Sequence, residues 1–168
     1  MRLSSLGELL APRRPRVEGA NSSSWSTPPP DPELGVPVPF ACAYDDGRAS
    51  LALLNKVRVT QCALSRICGV CGRGLDRPVA FVGTAAEEGR NAFHFPPLHA
   101  ACAASLVAVV RQHDVPLPGQ AEATDPVVVT CSGFEFVRPT AADLDRRPTF
   151  APTAPAGAGV HGAPTPHA

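Results

Sequence analysis

No apolar run in the sequence approaches the roughly 18 residues that a membrane-spanning helix needs. The longest candidate, Ala100 to Val110, is too short. There is no glycine loop of the kind that cradles phosphates, and Ser, His and Asp are too scattered to argue for an activated nucleophile. Net charge is also lacking: 15 Lys and Arg balance 15 Asp and Glu, so the whole chain exerts no long-range pull on a polyanion. Aromatic residues make up only 5% of the chain, which leaves few platforms for stacked bases. The amino terminus lacks a continuous apolar stretch, because Ser4, Ser5, Gly7 and Glu8 interrupt it, and no secretory signal is expected. The expected setting is the cytoplasm, where thiols stay reduced and a cysteine cluster is read as a metal site before a disulfide framework.

Proline is abundant but avoids the middle. Of 20 prolines, only Pro78, Pro96 and Pro97 lie between residues 41 and 115. The reading that follows is a disordered arm over residues 1–35, an α+β domain over 36–137 with its metal module at 60–112, and a disordered Pro/Ala-rich tail over 138–168. Leu3 to Leu10 could form a transient helical turn, and Trp25, the single tryptophan, falls in the arm. A domain of about 100 residues buries a modest core and gains from a metal staple.

Within the domain, alternate apolar residues from Val36 to Tyr44 predict an edge strand, since Pro37 and Pro39 exclude a central one. Asp45-Asp46-Gly47 would turn the chain. Ala49 to Val59 is ambiguous between helix and strand, and Thr60 is a candidate N-cap for a short helix from Gln61 to Ile67. Pro78 to Gly83 and Asn91 to Phe95 read as the two strands of a hairpin around a polar loop, Thr84 to Arg90. Leu98 to Arg111, rich in Ala, Leu and Val, predicts a largely buried helix with Pro97 at its start. Val127 to Val137 is one more strand, or a hairpin broken at Gly133.

The chemistry concentrates in two pairs. Cys68-Gly69-Val70-Cys71-Gly72 places two thiols two residues apart, and His99-Ala100-Ala101-Cys102 places an imidazole and a thiol at the same spacing. This Cys₃His set has the ligand spacing of a structural zinc site. A tight Cys turn, a hairpin, and a helix whose first turn carries the second pair make a treble-clef-like arrangement. Gly69 and Gly72 would let backbone amides approach the thiolates. Four ligands close the coordination shell, so the metal is expected to supply folding energy and not to activate water. An iron centre is possible in principle, but the mixed donor set favours one structural Zn²⁺ per chain. Cys42, Cys62 and Cys131 fall outside the pattern and read as small core residues.

An enzymatic reading would have to rest on His94, because the treble clef is also the scaffold of His-Asn-His nucleases. The sequence puts no acidic residue beside His94, and the Phe93-His94-Phe95 alternation makes it the outward residue of a strand. No catalytic residue is therefore assigned. From Arg48 to Arg111 eight basic residues face three acidic ones, a local excess that would permit nucleic-acid contact through Arg66, Arg73, Arg77 and Arg90.

Phe40-Ala41-Cys42-Ala43-Tyr44, the Cys68 to Gly72 knuckle and Pro96-Pro97-Leu98-His99-Ala100-Ala101-Cys102 together resemble a group of small, functionally uncharacterised actinobacterial and actinophage proteins. The resemblance covers roughly residues 36 to 111 and implies a metal site without naming a function. Such relatives often continue with a Cys-Pro after the helix, which Arg111-Gln112-His113 does not provide. The expected function is a non-enzymatic interaction or adaptor module, with a protein partner favoured over nucleic acid. A DNA-binding regulator and a metal-dependent nuclease are the alternatives.

Overall fold

The computed structural model describes residues 30–44, 46 and 48–155. The helical turn expected at Leu3 to Leu10, Trp25 and the end of the tail lie outside the described residues. The fold is mixed α and β. Three helices, α1 (Lys56–Ser65), α2 (Ala85–Arg90) and α3 (Ala100–His113), accompany an antiparallel sheet of β1 (Val79–Gly83), β2 (Val127–Val137) and β3 (Thr149–Pro155) in the order β1-β2-β3. No described helix is long and apolar enough to cross a membrane.

The sheet departs from expectation in three ways. β1 pairs with β2, in the register Phe81 to Val129, instead of forming a hairpin with Asn91–Phe95. The loop expected at Thr84–Arg90 is helix α2, because Thr84 and Glu87 form a capping box: Glu87 N–H donates to Thr84 Oγ1 at 3.2 Å and Thr84 N–H to Glu87 Oε2 at 2.8 Å. Finally, β3 lies in the stretch read as disordered tail, so the ordered fold continues to Pro155, past the expected boundary at 137. Pro152 and Pro155 are tolerated because β3 is an edge strand.

β2 is one continuous strand through Gly133, with its first half on β1 and its second on β3. Phe81, Phe93, Phe134 and Phe150 meet where these elements converge, with ring centroids 5.4 Å apart for Phe81–Phe93 and 5.8 Å for Phe134–Phe150. Phe81, Phe93 and Phe150 are almost completely buried. Aromatic pairs in such arrangements contribute about 0.5–1.5 kcal/mol beyond area burial.

The amino-terminal side is also rearranged. Val36–Tyr44 is not a strand. It carries a 3₁₀ turn at Phe40–Cys42, and Val38, Phe40, Ala41, Cys42 and Ala43 are all buried, which no alternating strand would do. The turn docks on the knuckle, with Phe40 N–H donating to Val70 O at 2.9 Å and Ala41 N–H to Gly69 O at 2.8 Å. Residues 30–35, assigned to the arm, are held by buried Asp31, whose carboxylate accepts from the amides of Glu33, Leu34 and Leu51. These bonds draw its pKa below the ordinary value although burial opposes them. Helix α1 starts earlier than expected because Asn55 caps it, accepting from Val57 N–H at 3.0 Å. Thr60 lies inside it and donates its hydroxyl to Lys56 O.

Candidate metal centre

Two backbone structures deliver the four candidate ligands. The first is the turn after α1, whose chain reverses at Arg66 in the left-handed region (φ 50°). Cys68 N–H then donates to Arg73 O at 2.7 Å and Gly72 N–H to Cys68 O at 2.9 Å, which closes the knuckle. Gly72 has φ 68°, and a Cβ there would lie 2.8 Å from the Phe40 ring, so only glycine fits. The amides of the two glycines are themselves bonded to carbonyls, Gly72 to Cys68 O. Gly69 N–H goes to Pro97 O at 2.9 Å, tying the knuckle to the segment before α3. The amides that do approach the Cys68 sulfur are those of Cys71, His99 and Val70, while Arg73 serves Cys71 through both its amide and its guanidinium.

The second structure is the entry to α3. Ala80 and Leu98 exchange both backbone hydrogen bonds at 2.8 Å, anchoring the chain to β1 just before the helix. Pro97 and Leu98 stay outside the helix, which begins at Ala100 with His99 as N-cap. The His99 side chain makes no capping bond, and its ring is turned elsewhere. Nε2 lies 2.8 Å from Gly74 O, so the proton sits on Nε2 and the Nδ1 lone pair is left for a metal.

Cys68, Cys71, His99 and Cys102 each offer a ligand atom, and all four atoms lie within 4.8 Å of one another. His99 Nδ1 is 3.4 Å from Cys71 Sγ and 3.9 Å from Cys102 Sγ. A tetrahedral ion with metal–sulfur bonds of about 2.3 Å and metal–nitrogen bonds of about 2.0 Å has ligand–ligand edges on the order of 3.5–3.8 Å. The group can therefore hold a metal ion. Cys68 is buried and the other three are partly exposed, so the site sits at the surface.

The three thiols do not share one electrostatic fate. Burial raises all of them, but at Cys71 the Arg73 amide and guanidinium and the neighbouring sulfurs bring the pKa down to about 7. Cys102 is pushed up to about 12 by burial and by the charge of Cys68, and Cys68 is also raised, chiefly by burial. Three thiolates this close repel one another, and a cation is what would allow all three to ionise.

The remaining cysteines are free and buried. Burial pushes Cys62 up to about 12 and raises Cys42 and Cys131. Cys42 lies 3.9 Å from Leu51 O and Cys131 2.9 Å from Gly133 O, as core thiols with backbone partners.

The expected position of His94 is overturned. It is 5% exposed and not the outward residue of a strand. Its N–H donates to Glu87 Oε1 at 2.9 Å, its Nδ1 lies 3.3 Å from Pro148 O, and its Nε2 lies 3.4 Å from Asp145 Oδ2. The acidic neighbours absent from the local sequence arrive from α2 and from the loop before β3. The Thr84-x-x-Glu87 pattern signalled the first of these; nothing local signalled Asp145.

The four arginines of the expected basic face are all exposed but dispersed over several elements. Arg66 stacks over the Phe134 ring at 4.6 Å and Arg73 is engaged with Cys71. Arg77 precedes β1, whereas Arg90 closes α2. No family model matches the chain, and no curated protein or solved structure matches it either, so the reading of the site rests on its own geometry.

Proposed function

We propose that the chain is a zinc-dependent, non-enzymatic interaction module with one structural Zn²⁺ bound by Cys68, Cys71, His99 and Cys102. The observation that carries this reading is the convergence of four ligand atoms within 4.8 Å, with the His99 ring pre-oriented by Gly74 O. Three thiolates and an imidazole suit zinc, and a complete set of four protein ligands leaves no position for substrate. The metal would bond the knuckle to α3 across a chain gap that β1 and α2 otherwise span. We read the arrangement as treble-clef-like, with its hairpin reduced to the Ala80–Leu98 bridge.

A protein partner is favoured over nucleic acid because Arg66 is stacked on Phe134 and Arg73 is bonded to Cys71 within the fold. Enzymatic use of His94 is disfavoured by its burial: among the described residues it belongs to no group able to hold a metal ion. The setting that suits three reduced ligand thiols is the cytoplasm.

Elemental mass spectrometry on protein purified without added metal tests the reading. About one zinc per chain is expected in the wild type, and loss of zinc in both Cys71→Ser and His99→Ala. Wild-type protein that is folded and metal-free refutes it. The regulator alternative would show as DNA binding that weakens steeply with salt. The nuclease alternative would show as metal-dependent cleavage abolished by His94→Ala at unchanged zinc content.

A further inference from the structure

A cavity of about 310 Å³ opens between the start of α1 and the loop before β3, away from the four metal-ligand residues. Three separate stretches wall it: Ala52, Leu53 and Leu54 leading into α1, Gly119 to Ala121, and Arg147 with Pro148. Gly119 N–H donates to Ala52 O at 2.9 Å and Arg147 Nη1 donates to Gly119 O at 2.6 Å, so hydrogen bonds hold the three stretches around the opening. Most of the lining is apolar. Its charged members are Lys56 and Arg147, with buried His94 beside them, and no lining residue is acidic.

The two cations are in different states. Arg147 is committed, with its guanidinium on Asp145 at 2.7 Å and on Gly119 O. Lys56 is the only lysine in the sequence, and it makes no ion pair or side-chain hydrogen bond among the described residues. It is also the first residue of a ten-residue helix with no acid in its first turn. A cation there adds to the positive end of the helix dipole, which raises the potential at the mouth of the cavity and favours an anion. An apolar cavity with one spare cation at its rim matches a molecule with an apolar body and a single negative head.

We propose that this cavity binds small amphipathic carboxylates, with the apolar chain against Leu54 and Val59 and the carboxylate at Lys56. The proposal is independent of the metal reading. No bond is made or broken in it, and His94 serves as wall and not as base.

The test is an NMR titration of the ¹⁵N-labelled full-length chain with octanoate, and separately with octanol, at neutral pH and below micelle formation. Saturable shifts are expected at the amides of Leu54, Lys56, Gly119 and Gln120 with octanoate. Octanol is expected to bind about fivefold more weakly, the factor that one exposed ion pair supplies. Lys56→Glu should weaken octanoate by about fivefold or more and leave octanol unchanged. That variant places an acid in the first turn of α1, where it favours the helix, so weaker binding would not reflect unfolding. Equal affinity for octanoate and octanol, an unaffected Lys56→Glu variant, shifts confined to another surface, or no saturation would each overturn the proposal. Zinc content measured on the same samples separates this outcome from failure of the metal reading.

Discussion

The two ends of the molecule are held by different physics. At the knuckle, three of the four candidate ligand residues remain partly exposed, although the buried turn at Phe40–Cys42 docks there. At the sheet, Phe81, Phe93 and Phe150 are essentially excluded from water, and β2 is hydrogen-bonded on both sides. Both draw on one apolar core, which includes Cys68 and Phe95 as well as Phe81 and Phe150; the knuckle adds a donor set able to hold a cation. Coordination there would add to apolar burial, a gain expected to matter in a small domain.

This contrast can be broken most sharply at a ligand. A structural zinc contributes an apparent 10–16 kcal/mol, comparable to or above the roughly 5–15 kcal/mol total stability of a domain. His99→Ala should therefore abolish cooperative unfolding monitored by circular dichroism. Amide exchange on the same variant asks whether protection persists in β2 and β3 when it is lost at the knuckle. Uniform loss would mean that the two ends fold as one unit.

The next largest effect is expected from the other end. Phe150→Ala removes a fully buried ring that stacks near Phe81, Phe134 and Phe136, at a cost of about 3–5 kcal/mol. Denaturant unfolding should show that loss while the folded fraction keeps its metal stoichiometry. A neutral result would remove β3 from the cooperative fold.

Asp31→Ala should cost about 1–3 kcal/mol, because the buried amide of Leu51 loses its 2.7 Å acceptor. The pH dependence has a definite sign. The folded-state pKa of Asp31 is lowered, so its contribution is fully present above the unfolded value near pH 4 and is lost as pH falls through the lower folded value. Comparing acid unfolding of the wild type with Asp31→Asn measures that part alone.

A smaller effect separates the ends by pH. Metal binding must displace protons from Cys68 and Cys102, and from Cys71 as pH drops below about 7. Metal affinity in chelator competition should fall as pH is lowered, by about tenfold per unit for each proton displaced. Phe150→Ala, which removes none of the four candidate ligands, should leave that pH slope of metal affinity unchanged.

The same division marks how much was legible in the sequence. The candidate ligand pairs could be read because short spacings constrain geometry locally: Cys68-x-x-Cys71 forms the turn and His99-x-x-Cys102 the helix entry. The sheet could not, because strand partners are chosen by tertiary contacts. Asn91–Phe95 alternates like a strand, yet only Phe93 finds a bridging partner there, Phe150, from a segment whose prolines suggested disorder. Glu87 had a local signal in its capping box with Thr84, whereas Asp31 and Asp145 act on residues far along the chain, Leu51 and His94. Val36–Tyr44 misled for another reason: contact with the knuckle buries consecutive residues and overrides alternation.

The central claim is that metal at the Cys₃His group holds the knuckle to α3 and so supports the fold. Thermal unfolding of one preparation, followed by circular dichroism before chelation, after removal of metal, and after return of one equivalent of zinc, tests it directly. The account predicts a cooperative transition that disappears on chelation and returns with zinc at one equivalent. An identical cooperative transition in the metal-free protein would contradict it.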